Sequence, residues 1–239
     1  MNTVCIATYN GKKYIAQQLQ SILDQIATND EVIVSDDGST DGTPEYIQSL
    51  QDPRITILHS SAHYYKDNFL HALTHARGEY IFLSDQDDVW LPGKYEACVA
   101  ELKQYDLVCH NCMLTDADLR VTNSNFFALY HSGKGIMKNI LVTSYYGSCM
   151  AFRRSVLTYA LPMPATREIG HDMWIGLVAE MTGRVKFIET PYILYRRHDS
   201  VFTHADSLWR RSNRPLYKKM WSRIVLLYHI IVYKIHHAR

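Results

Sequence analysis

Three carboxylates, Asp85, Asp87 and Asp88, follow directly on the apolar run Tyr80-Ile81-Phe82-Leu83 and precede Trp90. A short apolar run bounded in this way reads as a buried strand, and a covered sheet opens onto its site at the strands' C-terminal ends. Acids crowded at such an end repel one another unless a cation neutralises them. A hard divalent ion takes oxygen ligands, and magnesium typically uses one or two carboxylates plus a substrate's phosphates. The chemistry implied is a metal-assisted reaction on a phosphorylated donor, with Mg²⁺ or Mn²⁺ as the cofactor.

Two further strand-like runs end in polar residues. Val4-Cys5-Ile6-Ala7 leads into Thr8-Tyr9-Asn10-Gly11, and Glu31-Val32-Ile33-Val34 leads into Ser35-Asp36-Asp37-Gly38-Ser39-Thr40-Asp41-Gly42. Gly38 and Gly42 allow a sharp turn and close approach to a ligand. Ser39, Thr40, Asp41 and Thr43 are also good helix N-caps, and capping alone accounts for part of that loop. One such loop is an ordinary strand-to-helix turn; three at neighbouring strand ends point to a site. Neither G-x-G-x-x-G nor G-x-x-x-x-G-K-[ST] occurs, so the usual dinucleotide and P-loop phosphate cradles are excluded.

The elements that must position these residues alternate. Helical spacing runs from Lys12 to Leu23, through Tyr46-Ile47 and Leu50, and from Phe69 to Ala76. Ile55-Thr56-Ile57-Leu58 supplies a third strand and Tyr80–Leu83 a fourth. This β-α repetition predicts an α/β fold with a mainly parallel sheet covered by helices on both faces. After Trp90 the pattern loosens into a helix from Leu91 to Leu102, a strand near Leu107–Cys112 and a loop-rich stretch to about Ile136. The expected organisation is one domain over 1–206, with a nucleotide half (1–104) and an acceptor half (105–206), followed by a tail over 207–239.

At 239 residues, 47% apolar and 21% charged, the chain has the composition of an ordinary globular protein. Its formal charge of +1 hides an asymmetry: from Ser207 onward there are eight Lys/Arg and no acid, leaving 17 basic and 24 acidic residues before it, a net of −7. Five cysteines make an odd, low count that fits a reducing compartment rather than a disulfide framework. Cys109 and Cys112, in a strand-like run, point to opposite faces and read as core residues, not a zinc site. Met1-Asn2-Thr3 opens without a basic or long apolar leader, so a cytoplasmic location is expected.

In order and spacing, Ala7-Thr8-Tyr9-Asn10, Val34–Thr43 and Gly78–Asp88 resemble family 2 glycosyltransferases of the GT-A fold (Rossmann-like nucleotide-diphospho-sugar transferases). The resemblance covers about residues 2–200. The Asp85-Gln86-Asp87-Asp88-x-Trp90 form is similar to the branch of bacterial rhamnosyltransferases and related surface-polysaccharide enzymes, such as those of O-antigen and capsule. It implies that Thr8 and Tyr9, with Asn10, flank the nucleotide base and ribose. Asp37, beside Asp36, would accept from the pyrimidine N3–H. Asp85-Gln86-Asp87 would be the D-x-D motif, with Asp85 toward ribose or metal-bound water and Asp87 a direct metal ligand. Relatives carry an Arg-Asn pair ahead of the fourth strand; here Lys66-Asp67-Asn68 stands there, with Lys66 the candidate for the arginine's place.

A second constellation is Gly170-His171-Asp172-Met173-Trp174, opening an apolar helix through Ile175, Leu177 and Val178. On the residues alone Asp172 reads as a helix-start carboxylate that suits the dipole. The resemblance implies that it is the general base of an inverting single displacement, with His171 and Trp174 at the pocket wall. Tyr145–Arg154 resembles the segment under the donor sugar, with Gly147 and Ser148 in the pocket and Arg153-Arg154 a solvated turn. His198, after Tyr195-Arg196-Arg197, would be a protein ligand to the metal; the other histidines read as surface residues.

The expected substrates are a dTDP- or UDP-sugar, carrying rhamnose or a hexose, and a glycan or lipid-linked acceptor. In the tail, Arg210, Arg211, Arg214, Lys218, Lys219 and Arg223 lead into the apolar run 224–233, about half the roughly 20 residues that span a bilayer. Its three- and four-residue apolar spacing predicts an amphipathic helix, lying on the inner membrane face or packed on the body or a partner subunit of a homodimer. The competing readings are a sugar-phosphate nucleotidyltransferase, which should show a Gly-rich basic loop after the first strand, and a non-catalytic glycan- or lipid-binding relative. No nucleic-acid motif accompanies the basic tail.

Overall fold

The computed structural model describes residues 1–197 and 215–237. A nine-stranded mixed sheet forms its centre, in the order β3-β2-β1-β4-β8-β6-β9-β5, with β7 paired to β6. The first four neighbours are parallel: β1 (Thr3–Thr8), β2 (Glu31–Asp36), β3 (Ile55–His59) and β4 (Tyr80–Asp85). Each is joined to the next by a helix: α1 (Lys12–Leu23), α2 (Thr43–Ser49) and α3 (Tyr65–His75). β1, β2 and β4 are buried almost throughout, as strands covered on both faces must be. All three therefore end on the same edge, which brings the predicted loops together.

Beyond β4 the sheet stops being parallel. β5 (Val89–Trp90) is two residues long and α4 spans Lys94–Leu102, three residues inside the predicted start. Gly93 at φ +86° turns the chain into α4, a conformation that favours glycine. β6 (Leu107–Thr115) lies between β8 (Met150–Arg153), antiparallel, and the long β9 (Val185–Arg196), parallel. The loop-rich stretch holds β7 (Val121–Asn123), α5 (Phe126–Tyr130) and α6 (Ile136–Leu141). A 3₁₀ turn over Gly147–Cys149 then enters β8. After it come α7 (Ser155–Ala160), α8 (His171–Thr182) and, after β9, α9 (Leu216–His237).

The core is continuous across the sheet. Cys109 and Cys112 are both fully buried on β6, and all five cysteines are free and buried. Two expectations are corrected here. Arg153 lies in β8 with its guanidinium 5.5 Å over the Tyr80 ring, not in a solvated turn. His110 is a fully buried core residue whose Nδ1 meets the Asn111 carbonyl at 2.8 Å.

Candidate active site

The loops after β1 and β2 are stitched to each other. Asp36, 1% exposed, accepts from the Thr8 hydroxyl (2.8 Å), the Ser39 amide (2.9 Å) and the Ser39 hydroxyl (2.6 Å). Asn10, at φ +49°, donates its amide to Ser39 Oγ and accepts from the Thr40 amide. Gln86 reaches across from β4: its Oε1 accepts from the Tyr9 amide (3.0 Å) and its Nε2 donates to the Tyr9 carbonyl (3.2 Å). Gly11 leaves room for that pair: a Cβ there would fall 2.2 Å from Gln86 Oε1 and push the Gln86 side chain aside. The side chains of Thr8, Asn10, Asp36 and Gln86 thus hold the loops expected at the nucleotide in shape. Asp37 and Tyr9 are placed differently. Asp37 Oδ1 accepts from the His63 amide (3.0 Å), and the Tyr9 side chain is 58% exposed at the rim.

The acidic end of β4 divides. Asp85 and Asp87 stay partly accessible, whereas Asp88 turns inward, 2% exposed, with Oδ1 on the Arg196 amide at 3.0 Å. Asp88 Oδ2 is buried with no hydrogen-bond partner among the described residues. Burial, with Asp87 and Asp85 adding like charge, holds the Asp88 carboxyl well above its usual range. Burial and then the Asp87 charge push Asp85 up to about 7.

Two cations that the sequence reading passed over hold this end in place. Arg196, 4% exposed on β9, donates Nε to the Asp87 carbonyl (2.7 Å) and Nη2 to Gln17 (2.9 Å). Lys94, fully buried at the start of α4, donates Nζ to the Ser148 carbonyl (2.9 Å) and lies 4.0 Å over the Trp90 ring. Burial lowers Lys94 to about 8. Ser148 Oγ in turn accepts from the Asp85 amide at 2.8 Å, so one turn joins Lys94 to the acidic strand end.

That same turn faces the start of α8. A Cβ on Gly147 would lie 3.4 Å from His171 Nε2 and 3.9 Å from Asp172 Cβ, ordinary contact distances, so the turn lies close against the start of α8. His171 is 3% exposed and stacks on Phe69 at 4.3 Å. Burial lowers its pKa, and neither ring nitrogen has a partner among the described residues. Asp172 is half-buried in the first turn of α8, its Oδ1 accepting from the Met173 amide at 2.7 Å. Asp172 also adds to the charge that raises Asp85, and Tyr65, raised first by burial and then by Asp172, has its hydroxyl near Gly170. Asp85 and Asp172 are therefore near enough to feel each other's charge. A cleft of about 600 Å³, lined by Arg77, Glu79 and Arg153, includes none of these groups.

Two expected pocket residues fall elsewhere. Trp174 is 4% exposed, donates to the Ala160 carbonyl (2.9 Å) and meets Tyr233 of α9 edge-on at 5.7 Å. It faces the body of the helix layer because it lies beyond the first turn of α8. Lys66 is 4% exposed, and its Nζ donates to the Pro164 and Thr166 carbonyls at 2.7 and 2.8 Å. It tethers the loop before α8, which corrects its expected nucleotide contact. His198 lies outside the described residues.

Among the described residues no group of three or more His, Cys, Asp and Glu forms a metal cage. A site that borrows donor phosphates needs only one or two carboxylates, and Asp87 with Asp85 supplies them. The crowding that lifts the Asp85 carboxyl, and the buried Asp88 oxygen without a partner among the described residues, are features that a divalent cation would relieve. The donor set fits the ion.

The sequence profile described as "Glycosyl transferase family 2" matches residues 3–159. The Escherichia coli UDP-Glc:α-D-GlcNAc-diphosphoundecaprenol β-1,3-glucosyltransferase WfaP is 35% identical over 100 residues, covering 38% of this chain and 37% of that protein. Staphylococcus aureus TarS 1–349, solved with UDP-GlcNAc, superposes with a TM-score of 0.70 at 17% identity, covering 94% of this chain and 65% of that one. The Pyrobaculum calidifontis mannosyltransferase PcManGT, solved with GDP-Man and Mn²⁺, superposes with a TM-score of 0.58 at 22% identity, covering 82% and 56%. These two likenesses show the GT-A type of fold. The chain spans 64% of the length of two curated relatives that match it over 82% and 90% of its own length.

Proposed function

The chain belongs to glycosyl transferase family 2, and from that premise we propose an inverting, metal-dependent transferase of surface-polysaccharide biosynthesis. It would move a sugar, rhamnose or a hexose, from a dTDP- or UDP-linked donor to a glycan or lipid-linked acceptor at the inner membrane face. The observation that carries this is the closeness of the acidic end of β4 to the start of α8, where Asp172 lies, across the Gly147 turn. WfaP, whose name specifies a lipid-diphosphate-linked acceptor, and TarS, solved with UDP-GlcNAc, support the substrate classes. PcManGT, solved with Mn²⁺, supports the metal.

In this reading Asp37 receives the pyrimidine N3–H, and Tyr9 at the rim covers the base. Asp87, with Asp85 behind it, holds the divalent ion, which when bound offsets the charge of the diphosphate. His198 is a further proposed ligand. The Gly147 turn forms the floor under the donor sugar, held from below by Lys94 on the Ser148 carbonyl. Asp172 takes the proton of the acceptor hydroxyl as its oxygen bonds to the anomeric carbon, and the nucleoside diphosphate leaves with the electron pair of the broken C–O bond. One displacement inverts the anomeric centre.

A thermal-shift screen of dTDP-, UDP- and GDP-sugars with Mn²⁺ identifies the donor, and NMR of the product reads its anomer. Stabilisation by one nucleotide class and an inverted product are expected. A retained configuration overturns the single displacement.

A further inference from the structure

α9 is docked by one face and bare on the other. Ser222, Leu226, Ile230 and Tyr233, spaced by four, four and three residues, are its buried stripe. Ser222 Oγ donates to Glu168 Oε2 at 2.5 Å, and Tyr233 and His229 both meet the Trp174 ring. A helix so packed should turn polar residues outward. Instead the outward positions Met220, Trp221, Ile224, Leu227, Ile231 and Ile235 are apolar and 43–69% exposed. α6, which packs against α9, exposes Met137 and Leu141 as well, at 69% and 65%. Apolar exposure on this scale marks a surface that meets something apolar.

Charge selects the occupant. No Asp or Glu occurs from Ser207 to the end of the chain. Lys218 near the start of α9 and Lys234 near its end are both exposed. A second copy paired through this face would set lysines of one helix beside those of the other, parallel or antiparallel, with no acid on either. Anionic headgroups supply the missing opposite charge, and the hydrocarbon boundary accepts the apolar stripe. No helix of the described residues is long and apolar enough to cross a membrane, so the contact is lateral.

We propose that the outer face of α9, together with α6, is a docking surface for an anionic lipid bilayer. It is part of the folded body, not a trailing anchor, because its inner stripe grips both sides of the segment that carries Asp172: Glu168 before it and Trp174 after it. Lipid docking therefore orients the acceptor half toward the membrane. The surface stands independently of the sugar-transfer reading.

The test is flotation of the full chain with vesicles of phosphatidylcholine containing phosphatidylglycerol, against phosphatidylcholine alone, at low salt. The wild type should float with the anionic vesicles, and L227E/I231E should lose about ten-fold or more of that partitioning. The variant's melting curve and nucleoside-diphosphate titration should stay unchanged, which separates failure of the surface from failure of the active-site reading. Independently of that variant, anionic vesicles should blue-shift tryptophan emission, and W221F should remove the shift. A wild type that stays with neither vesicle, or a dimer in sedimentation that L227E/I231E abolishes, overturns the proposal.

Discussion

At Asp172 a short carboxylate in the first turn of α8 faces the Gly147 turn, and its nearest polar contact is the amide of Met173. Asp172→Asn preserves shape and removes the base, so transfer should fall by roughly 10²–10⁴-fold with nucleotide affinity nearly unchanged. Steady-state transfer beside nucleotide calorimetry checks it, and an equal loss of both would make Asp172 structural. Asp87, Asp37 and Asp172 stand out in the sequence because each belongs to a local motif with its own spacing, and titrations and kinetics test their proposed roles. Arg196 and Lys94 were not, since their partners at Asp87 and Ser148 are remote in sequence and meet only after β9 and α4 pack. The loop and helix contacts of Asp36 and Trp174 were not readable for a related reason: residue type does not say whether a polar group will be taken up by a neighbouring loop or helix.

The helix that carries Asp172 depends on one close approach. Gly176 in α8 lies so near Tyr145 that a Cβ would fall 2.2 Å from the ring, while the Tyr145 hydroxyl donates to Glu180 of the same helix at 2.6 Å. Gly176→Ala should destabilise the fold by about 1–3 kcal/mol through overpacking and should depress transfer by shifting the start of α8. Urea denaturation measures the first effect; wild-type stability would mean that the ring moves aside freely. Among the elements, β1 to β4 were readable from their apolar runs, and α3 only in part, beginning at Tyr65 rather than Phe69. The order beyond β4 was not readable. β8 inserts antiparallel between β4 and β6, and β9 keeps pairing with β6 through register shifts near Asn111. Such pairings are set by packing between distant segments, and no period in the chain encodes them.

For the molecule as a whole, the charge gathered at the end of β4 is a cost that ligands remove. Burial and the Asp87 charge push the folded Asp85 carboxyl up to about 7 against an ordinary 3.8, so between those values the folded chain holds a proton that the unfolded chain has lost. The Asp85 contribution to metal-free stability is thus fully present below about pH 4 and is lost as pH rises through 7. Asp85→Asn should flatten that part of the profile, and Mn²⁺ should restore stability to the wild type at neutral pH. Urea titrations of both proteins at pH 5 and 7.5 give the comparison, and identical slopes would mean that Asp85 carries no such strain. The charge asymmetry between body and tail was plain in composition. That α9 docks by an inner stripe and leaves its apolar side outward could be learned only from the packed helix.

Metal-dependent donor binding at the end of β4 is the central claim, and calorimetric titration of UDP and dTDP, with and without Mn²⁺, tests it most directly. The wild type should bind one of them more tightly with Mn²⁺, and Asp87→Ala should bind it equally with and without the ion. Binding by the wild type that is indifferent to Mn²⁺, or undiminished tightening in Asp87→Ala, would contradict the account.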